Sequence, residues 1–207
     1  FTIQIKRKSN CYLHSLMFSS DEIKHVSTAD FFEIKRAITD KIYTCYGEIG
    51  TISKEKLASD FKIEPSIVNR SKIYRGENLE GLPWINCDAP GWFNKDETLA
   101  IRFLFWWARH YSVTLHLSGK FLNMLDYDKM QSPQSEKILL CINEKPWRYD
   151  LHEDNYMPLN QIQDLKSTCL KMDFIKLSIA YPMETLHNFK SHNQKALMCL
   201  LGMLRND

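Results

Sequence analysis

The sequence predicts one α+β domain over residues 1–207, with an antiparallel or mixed sheet of about five to seven strands and N-terminal and C-terminal helices packed on it. Three observations support this class. The chain has 207 residues, of which 44% are hydrophobic, and this suffices for one buried core. Several segments after residue 80 have the composition or the alternation of strands, and two segments nearer the ends carry helical periodicity.

The first predicted helix covers residues 27–46. Ser27 and Asp30 have the spacing of a capping box, and apolar side chains then recur on one side of the helix. These side chains are Phe31, Ile34, Ile38, Ile42 and Cys45. Gly47 and Gly50 are expected to end the helix.

The stretch LASDFKIEPSIVNR, residues 57–70, has the spacing of a helix-turn-helix, and Pro65 suits the first turn of a second helix. That second helix is too short to present several polar side chains to base edges, and a formal charge of +2 gives no basic surplus for phosphate contacts. DNA binding through residues 54–70 is therefore the weaker hypothesis. We favour a short helix over residues 54–60 that packs Leu57 and Phe61 into the core, and we expect no nucleic-acid partner.

Five later segments are predicted as strands, from their alternation or from their content of β-branched and aromatic residues. They are LPWINCD (82–88), IRFLFWW (101–107), YSVTLHLSG (111–119), KILLCI (137–142) and FIKLSIAY (174–181). One buried helix over residues 95–109 is the alternative for the second segment, since Lys95, Arg102 and Arg109 would form a polar stripe along it. A closing helix over residues 184–204 is expected to lie on the sheet.

Two of these strands are predicted to form a hairpin that turns at Arg109 and His110. A two-residue turn there places Trp106 opposite Val113 and makes one face wholly apolar. The other face then brings aromatic rings together with hydroxyls and an imidazole. Its residues are Phe103, Phe105, Trp107, Ser112, Thr114 and His116.

Such a mixed face resembles the lining of a pocket for an organic ligand. The candidate ligand-binding residues are Phe103, Phe105, Trp107, Thr114 and His116, with Arg75 as a group that could bind a carboxylate or phosphate. The function favoured by this pattern is non-covalent binding of a small organic ligand. In the simpler alternative a helix covers the face, and its hydroxyls bond to backbone or water.

Two other function classes stay open. A metal-assisted or acid/base hydrolase would use His116 and His152, with Asp88, Glu153 or Asp154 as further metal ligands, although the ligand spacing is weak. An interaction module would use the aromatic face as a protein interface. The sequence has no GxSxG, HExxH or phosphate-cradling glycine loop, and we expect neither an enzyme nor a cofactor.

The predicted location is the cytoplasm, with no membrane partner. No run of 18 apolar residues occurs, and the N-terminal FTIQIKRKSN lacks the regions of a secretion signal, although a chain that starts at Phe1 makes this weaker support. The six cysteines lie at least 28 residues apart, which favours free thiols over metal-ligand pairs or a small disulfide scaffold.

Three segments carry a resemblance to a known family: GENLEGLPW (76–84), FLFWW (103–107) and SVTLHLSGK (112–120). With them the chain resembles an uncharacterised family of bacterial hypothetical proteins, over about residues 71–156. The resemblance implies a one-domain cytoplasmic bacterial protein. It implies no activity, cofactor or catalytic residue.

Overall fold

The computed structural model of the protein describes residues 18–205. The predictions made for FTIQIKRKSN and for Cys11 lie outside these residues. The chain divides into two compact units, one ending at Lys41 and one beginning at Ile42. Within residues 18–205, no helix has both the length and the apolar character needed to cross a membrane.

The described residues form an α+β structure on one seven-stranded sheet, as predicted. The helices are Ser20–Ser27 (α1), Asp30–Asp60 (α2), Pro65–Val68 (α3), Tyr127–Gln131 (α4), Leu165–Cys169 (α5) and Phe189–Leu201 (α6). The strands are Lys72–Leu79 (β1), Leu82–Phe93 (β2), Thr98–Trp106 (β3), His110–Ser118 (β4), Leu139–Cys141 (β5), Tyr156–Pro158 (β6) and Phe174–Pro182 (β7). Three short 3-10 helices cover Gly119–Met124, Leu159–Gln161 and Met183–Asn188.

The sheet has the order β1-β2-β3-β4-β7-β5-β6, and all its neighbouring strands are antiparallel. The five predicted strand segments all contain strands, and the helical alternative for residues 95–109 is wrong. The closing helix is also confirmed, although its α-helical part begins only at Phe189.

The boundaries predicted for the first helix are wrong at both ends. Ser27 is the last residue of α1, and the capping box lies at Ser19 and Glu22 instead. Helix α2 continues through Gly47 and Gly50 to Asp60, so the predicted short helix over residues 54–60 is its last part. A glycine inside a helix costs only about 1 kcal/mol, which burial of the following apolar residues can offset. Gly50 also lies close to β2, where a Cβ atom would sit 3.1 Å from that of Ala89.

One side of the sheet, here called the first face, packs against α2 and α6. Tyr46 of α2 contacts the ring of Phe103, with centroids 5.8 Å apart, and Ser53 donates a 2.5 Å hydrogen bond to the Ala89 carbonyl. Phe189, at the start of α6, contacts Phe105 at 5.8 Å. Leu57 and Phe61 are buried, as predicted. This face is the hydrophobic core of the sheet.

The turn between β3 and β4 has three residues, 107–109, and the predicted two-residue turn is wrong. Trp106 pairs with His110, and the Arg109 N–H donates to the Trp106 carbonyl at 3.1 Å. Ala108 has a φ of +56°, in the left-handed region. The observed register differs from the predicted one by three positions. Because side chains alternate between the two faces, an odd shift moves each β4 side chain to the face opposite the one predicted relative to β3.

The other side, here called the second face, carries most of the polar side chains of the central strands. They include Asn86 and Asp88 of β2, Arg102 of β3, Ser112, Thr114 and His116 of β4, and Lys176 and Ser178 of β7. Residues 142–155, here called the crossing segment, lie over part of this face. Lys176 Nζ donates hydrogen bonds to the carbonyls of Pro146 and Arg148, at 2.7 and 2.9 Å, and so holds the segment to β7.

The conformation of Ala108 leads to a stability prediction. An L-residue in the left-handed region is strained by about 1 kcal/mol, and glycine is not. We expect Ala108→Gly to raise the free energy of unfolding by up to about 1 kcal/mol, measured by urea denaturation.

The matched control is Ala58→Gly, the same chemical change at an exposed position of α2. It should lower the free energy of unfolding by about 0.5–1 kcal/mol, because glycine is the poorer helix former. A loss of stability in both variants would contradict the strain at Ala108.

Candidate functional site: an aromatic and polar cleft on the second face

The aromatic residues predicted to line a ligand pocket lie on the first face. Phe103 and Phe105 are buried, and their rings contact Tyr46 and Phe189 of the covering helices. Trp107 contacts the ring of Phe105, with centroids 5.4 Å apart. The space that was predicted as a pocket on this face is therefore occupied by α2 and α6, which matches the simpler alternative.

Thr114 and His116 lie on the second face, away from these rings. Thr114 Oγ1 is 3.0 Å from Ser178 Oγ on β7, and either hydroxyl can donate. The His116 ring contacts Phe174 at 5.4 Å and Trp147 at 6.0 Å. Arg75 pairs with Ile85 in the β1–β2 register, so its exposed side chain lies on the side of the first face.

A cleft of about 500 Å³ lies on the second face, at the β1 end of the sheet. We call it the sheet cleft. Five aromatic and two aliphatic side chains line it together with three polar ones, which is a composition typical of sites for organic molecules. The lining residues are Tyr74, Leu79, Trp84, Asn86, Asp88, Phe93, Arg102, Leu104, Trp147 and Tyr149.

An ion pair between neighbouring strands forms part of the cleft floor. Asp88 and Arg102 are directly opposite in the β2–β3 register, and Arg102 Nε and Nη2 each donate a 2.7 Å hydrogen bond to the Asp88 carboxylate. Arg102 Nη1 also donates to the Tyr149 hydroxyl. The guanidinium lies 4.9 Å from the Tyr149 ring centroid and 5.7 Å from that of Phe93. The pair thus fixes two rings, one of the crossing segment and one of β2.

Asn86 is a polar side chain of the cleft floor, and no described residue uses its amide donor or acceptor. It is 4% exposed and lines the sheet cleft, and within residues 18–205 its side-chain amide makes no hydrogen bond. The neighbouring Trp84 ring lies over Gly76, where a Cβ atom would come within 2.6 Å of Trp84 Nε1. The absence of a side chain at Gly76 therefore leaves room for this indole against β1.

Burial sets the protonation of the basic groups behind the cleft. It lowers the pKa of His116 to about 3, with smaller contributions from the positive charges of Lys176 and Arg102. Burial likewise lowers the pKa of Lys176 to about 8. His116 is therefore neutral near pH 7 and is poorly suited to accept a proton in general base catalysis.

The two histidines of the predicted hydrolase site do not share a pocket. His152 lines a separate pocket of about 210 Å³ with Glu80, His110 and Asp150, and His116 is not among its lining residues. In the described part of the chain, no group of three or more His, Cys, Asp or Glu residues could hold a metal ion. His116, His152 and Asp154 therefore do not form the metal site that the sequence suggested.

None of the ten residues that line the cleft was predicted as a ligand-binding residue, and only Asp88 was a candidate, as a metal ligand. Tyr74 and Trp84 belong to YRGENLEGLPW, in which Arg75 was the only predicted ligand-binding residue. Asn86 is a polar residue inside the otherwise largely apolar run LPWINCD, and this was an available signal. Trp147 and Tyr149 belong to WRYDLHED, the segment that contains the candidate His152.

The chain matches no family model, and comparisons with curated proteins and with solved structures also give no match.

The buried ion pair gives a second stability prediction. Asp88→Asn keeps the shape of the side chain but leaves the Arg102 charge without its carboxylate, and loss of one partner of a buried pair costs about 3–5 kcal/mol. We expect a loss of at least about 3 kcal/mol in chemical denaturation. Asp60→Asn breaks the solvent-exposed pair with Lys56 and should change stability much less. Equal effects of the two variants would contradict the importance of the buried pair.

The buried histidines give a pH prediction. The pKa of His116 falls from a usual 6.5 to about 3, and burial lowers that of His110 to about 4. Below pH 6.5 the unfolded chain therefore binds protons that the folded chain does not, and stability falls as the pH decreases towards these values. In His116→Phe, the slope of unfolding free energy against pH should be shallower by about 1.4 kcal/mol per pH unit over this window. His187→Gln, at an exposed position, should keep the wild-type slope.

Proposed function

We propose that the protein binds a small organic ligand non-covalently in the sheet cleft. The observation that carries the proposal is Asn86, whose side-chain amide makes no hydrogen bond within residues 18–205 and is open to the cleft, since neither of its polar atoms is a fully buried atom without a partner. The amide is therefore free to donate to and to accept from a molecule in the cleft, in exchange for water.

The surrounding residues indicate what such a ligand is like. Trp84, Tyr149 and the other rings offer flat apolar surfaces, on which an aromatic ligand can stack. The Asn86 amide offers both a donor and an acceptor, and a carboxylate such as Asp88 has more lone pairs than the two Arg102 bonds use. A planar ring with polar atoms along one edge fits this combination.

The binding test uses a panel of planar heteroaromatic fragments and thermal unfolding. We expect some fragments to raise the Tm of the wild-type protein by several degrees. The shift should disappear in Asn86→Leu, which has a similar shape without the amide, and in Trp147→Ala, which removes an exposed ring of the cleft.

Trp107→Ala is the matched control, because it removes a tryptophan on the side of the first face. It should keep the shift. Fragments that stabilise Trp147→Ala and Asn86→Leu as much as the wild type would place binding elsewhere, and a panel without any shift would count against the function.

We also propose that the protein works in a bacterial cytoplasm. The five described cysteines are free, and four of them are buried, which suits a reducing compartment. The bacterial origin rests on the resemblance of residues 71–156.

A further inference from the structure

A second pocket adjoins the sheet cleft and has a different character. Its volume is about 230 Å³, and it shares Tyr74, Asp88 and Phe93 with the cleft. Its other lining residues are Arg70, Ser71, Lys72 and Gly91. We call it the basic pocket. Because the two spaces have three lining residues in common, they lie side by side.

The two cations of the basic pocket are held in place without being neutralised. Arg70 lies 4.6 Å from the ring centroid of Trp92, and Lys72 Nζ lies 4.7 Å from that of Tyr74. Across residues 18–205, neither of them is in an ion pair. Cation–π contacts orient a charged group and leave its charge available for an anion.

The backbone and the carboxylate of Asp88, which lines the basic pocket, support the same conclusion. Gly91 N–H donates a 2.6 Å hydrogen bond to the Arg70 carbonyl, which attaches this residue to β2. Both oxygens of Asp88 already accept hydrogen bonds from Arg102. The basic pocket therefore carries an excess of positive charge next to an aromatic cleft.

We propose that the ligand is a planar heteroaromatic ring that carries an anionic group, a phosphate or a carboxylate. The ring lies in the sheet cleft against Asn86, and the anion lies in the basic pocket between Arg70 and Lys72. This inference rests on the proposed function, and it adds the charge of the ligand and the direction in which the ligand lies. Arginine suits both anions because its guanidinium can donate two parallel hydrogen bonds.

The test compares matched pairs of probes that differ in the anion: adenosine and adenosine 5′-monophosphate, indole and indole-3-acetate, nicotinamide and nicotinate. Affinities are measured by calorimetric titration at low salt. In at least one pair we expect the anionic member to bind about tenfold more tightly, as one or two charge-assisted hydrogen bonds would give. Added salt should reduce this difference.

Two double variants locate the effect. Arg70→Gln with Lys72→Gln should abolish the preference for the anionic member and leave the affinity of the neutral member unchanged. Arg75→Gln with Lys62→Gln removes the same formal charge from exposed positions that line neither space, and it should keep the preference.

The outcomes separate the two proposals. Equal affinities within every pair, or a preference that survives Arg70→Gln with Lys72→Gln, overturn the anionic ligand and leave the proposed function standing. Inorganic phosphate that binds as tightly as adenosine 5′-monophosphate also overturns it, since the ring would then contribute nothing. If no member of any pair binds, both proposals fail together.

Discussion

The three-residue turn between β3 and β4 determines which side chains of these strands share a face. Alternate side chains of a strand point to opposite sides, so the length of a turn decides how two strands combine their residues. With the observed register, Phe103 pairs with Val113 on the core side, and Arg102 pairs with Thr114 on the polar side. A turn of two residues would have paired Trp106 with Val113 and mixed the polar residues of β4 with the core rings of β3. The separation of an apolar face from a polar face follows from this one turn.

A polar face in the middle of a sheet needs partners for its charges, and the crossing segment provides them. Lys176 is fully buried and donates to two carbonyls of that segment, while Arg102 binds both Asp88 and Tyr149. The segment is thus attached to the sheet largely through charge-assisted hydrogen bonds, which are directional and hold a loop at fixed points. It covers the face near β7, and its residues Trp147 and Tyr149 also line the sheet cleft.

Much of the fold could be predicted from local patterns, because strand and helix periods are properties of short segments. The strands at 101–107 and 111–119 were found in this way. Their register was not predicted correctly. It depends on the left-handed conformation of Ala108, which a glycine or an asparagine at this position would have indicated and an alanine does not. Gly50 was misinterpreted for a related reason. A glycine can mark a helix end or a close approach to a neighbour, and only the position of β2 shows that the second applies.

The candidate site was harder to predict, because its residues come from separate segments and meet only after β1, β2 and the crossing segment have been placed. The residue types in the predicted pocket, rings with a few polar groups, do recur in the sheet cleft, but with other members. The first face shows why the predicted set failed: large rings in a strand contribute most to stability when a helix covers them, and Phe103 and Phe105 are covered in this way.

The rings of the sheet cleft contribute less to stability, since Tyr74 is 42% and Trp147 is 58% exposed. Asn86 contributes no side-chain hydrogen bond to the fold within residues 18–205, and its amide is open to the cleft. Polar groups that a fold does not use point to a role other than folding, and the proposed ligand would use the amide, the rings and the nearby cations together.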